Sequence, residues 1–307
     1  MAELWDGKAV GFEKHIDNTV DVGPDEPFAG ILGANPSQGA RSPLLWNAAF
    51  AAHGSNSKMF PLDVNEENLA FLLEALDADD RFIGGAVAIP HKETIAAWLG
   101  DRLTETAKKI GAINCLFRGT DERLWGTNTD GEGALVCIES VFGPVKGQNV
   151  VQLGAGGAGK ATAAFIGDAG ANLTLCVRSQ NKTADFAKRI SSRLCLWDDK
   201  DEALRHATLL INATSVGSTA AGMASETPLE SESFARVTAD AECYDIIYDP
   251  SPTLFLTLAS ERGLKTEDGR GMNLEQAILG FGYAAEEPMG PLVTREAMEV
   301  AKLTLEG

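Results

Sequence analysis

The sequence is short of positive charge. Its 26 lysines and arginines face 44 aspartates and glutamates, a formal net charge of −18 at pH 7 over 307 residues. A nucleic-acid-binding surface needs clustered cations, so the charge argues against that class of partner. Any anionic small molecule must instead be met by a few locally placed basic residues. The sequence also lacks the continuous apolar run of about twenty residues that a membrane-spanning helix requires. Its start, MAELWDGKAVGFEKHID, has neither the basic nor the apolar block of a signal peptide, so the expectation is a cytoplasmic protein with no membrane association. The five cysteines (Cys115, Cys137, Cys176, Cys195 and Cys243) form no C-x-x-C pair and have no histidine cluster beside them. In settings such as INCLF and LTLCV they read as buried, reduced thiols, and no metal site is expected. There is no tandem repeat and no low-complexity segment.

What is present is the composition of a globular protein, 44% hydrophobic and 23% charged, with length enough for two domains. The most informative stretch is NVVQLGAGGAG. Asn149 to Leu153 read as a short buried strand, and Lys160-Ala-Thr-Ala-Ala-Phe-Ile opens a helix. Between them Gly154, Gly156 and Gly159 form G-x-G-x-x-G. In such a turn the first glycine permits the tight bend, and the second lets a pyrophosphate approach the backbone. The third lets helix pack close on strand. Gly154, Ala155, Gly156, Gly157, Ala158 and Gly159 are therefore the candidate phosphate-binding residues, helped by the free N–H groups of a helix start. Gly154 to Lys160 also runs G-x-x-x-x-G-K, but Ala161 stands where a triphosphate-binding loop needs Ser or Thr, and Thr162 is one place late. A dinucleotide fits better. NAD enzymes place an acid near the end of the second strand, against the ribose hydroxyls. Here that strand ends LTLCVRSQNK, and the cations Arg178 and Lys182 favour NADP, with NAD as the alternative.

Strands and helices alternate on both sides of this turn. Before it, strands are expected at 28–33, 58–64, 82–89, 112–117 and 124–126, with helices between them, one starting with Ser42 as N-cap and Pro43 at the first helical position. After it, strands are expected at 150–153, 173–177, 208–212 and 243–248, and two helices close the chain. The expected architecture is α/β in two domains with largely parallel sheets. An N-terminal α/β substrate domain (27–130 plus 271–307) accompanies a Rossmann-type dinucleotide-binding domain (131–270), and the C-terminal helices return to the first. Residues 1–26 read as a loose extension. Three polar residues near strand ends carry the chemistry: Lys92 in IPHK, Asn114 in AIN and Asp130 in NTD. Read alone, Asp130 is equally a helix N-cap and Asn114 a turn former. Together, a lysine beside an aspartate can exchange the proton of a reacting hydroxyl, which is what hydride transfer from an alcohol to a nicotinamide needs.

The segments NPSQGARSP (35–43), AVAIPHK (86–92), GAIN (111–114), GTNTDG (126–131), GAGGAG (154–159), INATSVG (211–217), YDIIYDP (244–250) and GRGMNLEQA (269–277) follow one another in an order that resembles the shikimate dehydrogenase family, quinate/shikimate relatives included. The resemblance runs from about Ile31 to the C-terminus. It implies Lys92 as the acid/base residue, with Asp130 beside it on the substrate hydroxyls. Asn114 and Gln276 would bind further hydroxyls, and Ser42 and Tyr248 the carboxylate of a hydroxylated ring acid. Asn212, Thr214 and Ser215 would line the loop under the cofactor, and Met272 would lie near the nicotinamide. The implied reaction is NADP-dependent, reversible conversion of shikimate to 3-dehydroshikimate by a monomer or homodimer.

Two of these segments depart from the family pattern. Gly39-Ala40-Arg41-Ser42-Pro43 stands for His-Ser-Lys-Ser-Pro, and Ala88 and His91 stand in Ala-Val-Ala-Ile-Pro-His-Lys for Asn-Val-Thr-Val-Pro-Phe-Lys. Ala40 and Ala88 thus remove a serine and a threonine that contact substrate. Two lost hydrogen bonds of roughly 1.5–3 kcal/mol each amount to a hundredfold or more in affinity. Either Arg41 or His91 replaces the missing contacts, or the substrate is quinate, aminoshikimate or another hydroxylated ring acid. A ligand-sensing protein that kept the fold and lost the reaction is the alternative from another class. A folate one-carbon enzyme is a further one, against which NTDG and GMNLEQA argue.

Overall fold

A computed structural model describes residues 11–181 and 183–306, with side chains through 304. Lys182 and the first ten residues of the expected extension lie outside it. By internal contacts the chain divides into two compact units. One comprises the residues up to Leu103, Asn114–Thr127 and Gly280 onward, and the other Thr104–Ile113 and Asn128–Leu279.

In chain order the first unit contributes β1 (Phe28–Gly33), α1 (Ser42–Ala52), β2 (Lys58–Asp63), α2 (Glu66–Ala78), β3 (Phe82–Val87) and α3 (Lys92–Leu99). After α4 (Glu105–Ile110) come β4 (Cys115–Arg118) and β5 (Leu124–Thr127). The sheet order is β2-β1-β3-β4-β5. β1 is buried at all six positions and pairs parallel to both neighbours, as a strand rich in apolar residues without alternation should. The expectation of a largely parallel sheet is corrected on the other side, where β4 runs antiparallel to β3 and to β5. The five residues between β4 and β5 make a hairpin, and a connection that short cannot return the chain to a parallel start.

The expected loose extension is also corrected from residue 11 on. Phe12 is buried and stacks on Phe28 at 4.9 Å. Asp17 N–H donates to the Asp63 carbonyl at 2.7 Å, Asn18 Oδ1 accepts from Asp63 N–H at 2.8 Å, and Asn18 Nδ2 donates to the Pro61 carbonyl at 2.9 Å. The segment is stitched along the outer edge of β2.

The second unit continues with α5 (Asp130–Phe142), β6 (Asn149–Leu153), α6 (Gly157–Asp168), β7 (Asn172–Val177), α7 (Ala184–Arg189) and β8 (Arg193–Leu196). There follow α8 (Lys200–Leu204), β9 (Leu209–Asn212), α9 (Ser231–Phe234), β10 (Glu242–Asp245), α10 (Leu254–Glu261), β11 (Lys265–Glu267) and α11 (Arg270–Ala284). Its sheet order is β11-β10-β9-β6-β7-β8 with every pairing parallel. Counted from β6 this is 6-5-4-1-2-3, the doubly wound dinucleotide-binding order, with its crossover between β6 and β9. Alternate residues face opposite layers: Val150, Leu175 and Ile211 join one core, Val151, Cys176 and Leu210 the other.

The unit boundaries depart from the expected ones where apolar residues point elsewhere. Ile110 and Ala112 belong to the core of the second unit, which draws α4 into it, and Met272 in α11 does the same. The last helix, α12 (Pro291–Glu306), packs with α1 in the first unit, where His53 Nε2 and Thr294 Oγ1 are 2.8 Å apart and Phe281 lies 5.2 Å from Trp46. Four cysteines are buried, while Cys195, on an edge strand, is half-buried.

One arginine locks the first sheet at the edge where β3 begins. Arg118 donates to the carbonyls of Phe82, Asp77, Glu122, Leu76 and Asp79 at 2.7–2.8 Å, tying the last turn of α2 to β3 and the hairpin. Replacing Arg118 by Ala or Lys should lower the unfolding free energy by roughly 2–4 kcal/mol in urea denaturation, because orphaned carbonyls cost more than the bonds gain and an ammonium cannot serve five acceptors. A lysine variant as stable as the parent would show that charge alone is sufficient there.

Candidate active site

The parallel strands of the second unit deliver their carboxyl ends to one edge, and the glycine turn sits at its centre. Gly154 has φ +91°, and a Cβ there would fall 2.8 Å from Thr214 Cγ2 and 3.0 Å from the Ala213 carbonyl oxygen, so only glycine fits. Its N–H is held by the Cys176 carbonyl at 2.9 Å. Gly156 is the N-cap of α6 and has open space where a Cβ would stand. Gly157, Ala158 and Gly159 form the first turn of that helix, and Ala155 bridges strand to cap. A concave turn at a helix start, with no side chain to block it, fits a pyrophosphate. Arg178 follows β7 directly on the same edge and is exposed, as a group for a ribose phosphate must be.

The neighbouring loop is built from below. Asn212, fully buried at the end of β9, accepts from Thr214 N–H (3.0 Å) and Thr214 Oγ1–H (2.8 Å), fixing a turn that leaves Thr214 half-buried and Ser215 exposed. Asn212 Nδ2 donates to both oxygens of Asp245 at 3.1 Å. Asp245, fully buried, also accepts from Thr253 Oγ1–H at 2.7 Å and Ile247 N–H at 3.0 Å. Burial pushes its carboxyl up to about 6, against the opposing effect of these bonds. Tyr248 lies three residues beyond β10, half-buried in a loop rather than in the expected strand. Met272 is packed in the core at 6% exposure.

Asp130 is the first residue of α5 and is 4% exposed, so it is not the N-cap that the sequence alone equally allowed. Its N–H is held by Asn128 Oδ1 at 3.1 Å. The same helix start is bound to α11: Thr129 Oγ1 donates to the Gln276 carbonyl at 2.9 Å, and a Cβ on Gly133 would lie 3.1 Å from Gln276 N. Gln276 is half-buried, its Nε2 donating to the Asn273 carbonyl at 2.8 Å. The fold therefore brings Asp130 and Gln276 to one place in the second unit.

In the first unit one sheet edge gathers Ser42, Lys92 and Asn114. Ala88 N–H bonds to the Leu32 carbonyl (2.8 Å), Val87 N–H to that of Asn114 (2.8 Å) and Asn114 N–H to that of Thr127 (3.1 Å), so the ends of β1, β3 and β5 and the start of β4 meet there. Asn114 is 2% exposed, Ser42 6%, and Lys92, at the first position of α3, half-buried. Ser42 is the first helical residue of α1, and Arg41, already helical, takes the N-cap place expected for the serine. The loop before it is pinned through Ser37, whose N–H donates to Asp63 Oδ1 at 2.8 Å and whose hydroxyl donates to Asp63 Oδ2. His91 is not available as a replacement cation: it is 2% exposed, and its Nε2 lies 2.8 Å from the Val64 carbonyl and donates to it.

Sequence reading missed Gln152, Asp245 and Asp63. Their only signal is a polar residue closing or interrupting an apolar strand, as in VVQL and CYD.

A doubly wound sheet whose switch point carries an unobstructed glycine turn defines the dinucleotide-binding class of α/β proteins. A family model described as the shikimate dehydrogenase substrate binding domain matches residues 32–116. The shikimate dehydrogenase (NADP(+)) of Acidiphilium cryptum is 37% identical over 255 residues, covering 83% of this chain and 88% of that one. Shikimate 5-dehydrogenase of Thermus thermophilus, crystallised with NADP(H) and shikimate, is 30% identical with a TM-score of 0.74, covering 90% of this chain and 99% of that one. Ligand-free 5-ketofructose reductase of a Gluconobacter species is 27% identical with a TM-score of 0.72, covering 91% and 99%. The chain belongs to the shikimate dehydrogenase family. Among its described residues no helix is long and apolar enough to cross a membrane.

The buried Asp245 carries a pH dependence whose sign is fixed. Its folded pKa lies above its ordinary value, so the folded chain takes up this proton more readily than the unfolded one. The favourable contribution is complete at low pH and is lost as pH rises from about 4 through about 6. The stability of the parent relative to Asp245→Asn should therefore fall on going from pH 4 to pH 7, by on the order of 3 kcal/mol. Thermal or urea unfolding of both proteins across that range measures it, and a constant difference would contradict the assignment.

Proposed function

We propose that the chain is a cytoplasmic, NADP-dependent oxidoreductase that interconverts shikimate and 3-dehydroshikimate. The observation that carries this reading is the sheet edge holding Lys92, Asn114 and Ser42 in a chain that also bears the open glycine turn with Arg178 beside it. Gly154 to Gly159 would hold the pyrophosphate, Arg178 and Lys182 the ribose phosphate, and Asn212, Thr214 and Ser215 the loop beneath it. Met272 is assigned to the nicotinamide end on the resemblance alone, since its side chain is packed in the core. The dinucleotide supplies the acceptor for a hydride from the ring C–H.

Lys92, as the free amine, takes the hydroxyl proton as that C–H bond breaks, and returns it in the reverse direction. Asp130 accepts a hydrogen bond from a substrate hydroxyl. Asn114 and Gln276 bind other hydroxyls, and Ser42 and Tyr248 the carboxylate. The substrate is a free small molecule, for which a monomer or homodimer suffices.

A second reading has specific support. Ala40 and Ala88 stand where the family pattern has hydroxyls, Ser37 is spent on Asp63, and His91 on Val64. A relative of the same fold is named for a keto-sugar, which has no carboxylate. Under this reading the substrate is quinate, aminoshikimate or another hydroxylated ring acid, or a hydroxylated ketone or alcohol without a carboxylate.

Absorbance of reduced nicotinamide, followed with shikimate, quinate and a neutral ketose and with NADP or NAD, separates the two readings. With the best substrate, Lys92→Ala should lower turnover by about 10²–10⁴-fold while NADP⁺ still binds within about twofold of the parent. Near-normal turnover in that variant would remove Lys92 from the role.

A further inference from the structure

Gln152 lies in the middle of β6, fully buried, between Leu175 on β7 and Ile211 on β9 in register. Its layer of the sheet is otherwise apolar, including Val150, Leu175 and Ile211. A primary amide there costs free energy unless its polar atoms are satisfied, and an aliphatic side chain would pack without that cost. Both amide protons are spent on the glycine turn: Nε2 donates to the Gly154 carbonyl at 2.9 Å and to the Gly159 carbonyl at 2.8 Å. Its Oε1 has no hydrogen-bond partner. The side chain therefore binds nothing but the two outer glycines of G-x-G-x-x-G.

The consequence follows from peptide geometry. A trans peptide is planar, with its C=O and N–H pointing in opposite directions. A Gly154 carbonyl drawn back toward Gln152 forces the Ala155 N–H the other way, out of the strand end toward the mouth of the turn. With Gly154 at φ +91° no side chain opposes that orientation. The bond to Gly159 fixes the first turn of α6 to the same strand. A carbonyl dipole turned outward at this point would repel a phosphate, and an N–H attracts it.

We infer that Gln152 is a positioning residue for the cofactor: it sets which end of the Gly154–Ala155 peptide is presented to the pyrophosphate. The inference rests on the dinucleotide-binding reading of this turn and adds to it the group beneath that orients it.

The test is Gln152→Met, nearly isosteric and without a donor, with Gln152→Glu as the second variant. NADP⁺ binding by calorimetry should weaken roughly tenfold in the Met variant. The kinetic loss should fall on the KM for NADP⁺ and not on that for the ring substrate. The unfolding midpoint without cofactor should fall only slightly, because the removal of an unpartnered buried oxygen offsets part of the cost of leaving the Gly154 and Gly159 carbonyls without this donor. In the Glu variant the ionised carboxylate has no proton for either carbonyl, so affinity should be lower still at neutral pH. It should recover as the pH is lowered and the neutral acid regains one donor, a recovery that the parent lacks. A Met variant that binds NADP⁺ within twofold of the parent, or one that loses affinity only in proportion to a lower unfolding midpoint, overturns the inference. So does a Glu variant whose affinity follows the parent at every pH. A parent that binds no dinucleotide would instead overturn the cofactor reading itself.

Discussion

Asn212 and Asp245 sit side by side at the ends of β9 and β10, and their amide–carboxylate contact is made with neither residue exposed. A buried carboxylate needs donors on every side, and here they come from Asn212, Thr253 and the Ile247 backbone. Thr253 is in turn the N-cap of α10, and Asn212 holds the Thr214 turn with its other atom. One charge thus organises a strand end, a helix start and the loop beside the glycine turn. The fold of the second unit and the shape of its binding edge rest on the same bonds, so neither can be altered separately.

Much of the fold is legible in the sequence because glycine and apolar runs report backbone constraints directly. VVQLGAGGAG states a strand, a turn that only glycine tolerates and a helix start, and the structure has all three. The strands that escaped, β8 and β11, are sheet edges of four and three residues without fully buried positions, so they lack the apolar signature that marks interior strands. The direction of β4 and β5 escaped for another reason: whether a strand runs parallel or antiparallel is decided by the length of its connection rather than by its residues. Gln152 and Asp245 were overlooked because a single polar residue in an apolar strand looks like noise until its bonds are seen. Lys92, Asn114 and Ser42 share an edge because of sheet register, which no local pattern encodes.

The edge of the first sheet carries Lys92, while Ala40 and Ala88 stand where the family pattern has hydroxyls. Asp63 fixes the loop from below through Ser37, so the backbone path is maintained without the side chains that stand above it. Ala40 lies in that loop and Ala88 directly after β3, and neither takes part in the Ser37–Asp63 clamp. The relative named for a keto-sugar has the same fold at 27% identity.

The stitched segment before β1 has a meaning for the solution behaviour of the chain. β2 is the outermost strand of its sheet, and an outermost strand with open N–H and C=O groups is a template on which a second chain can pair. Asp17 and Asn18 occupy the groups of Asp63 and Pro61, and Pro61 itself has no N–H to offer. The stretch from residue 11 onward is in this sense a guard rail: it covers backbone groups that an edge strand otherwise presents to a second chain, and a chain trimmed back to β1 would lose that cover.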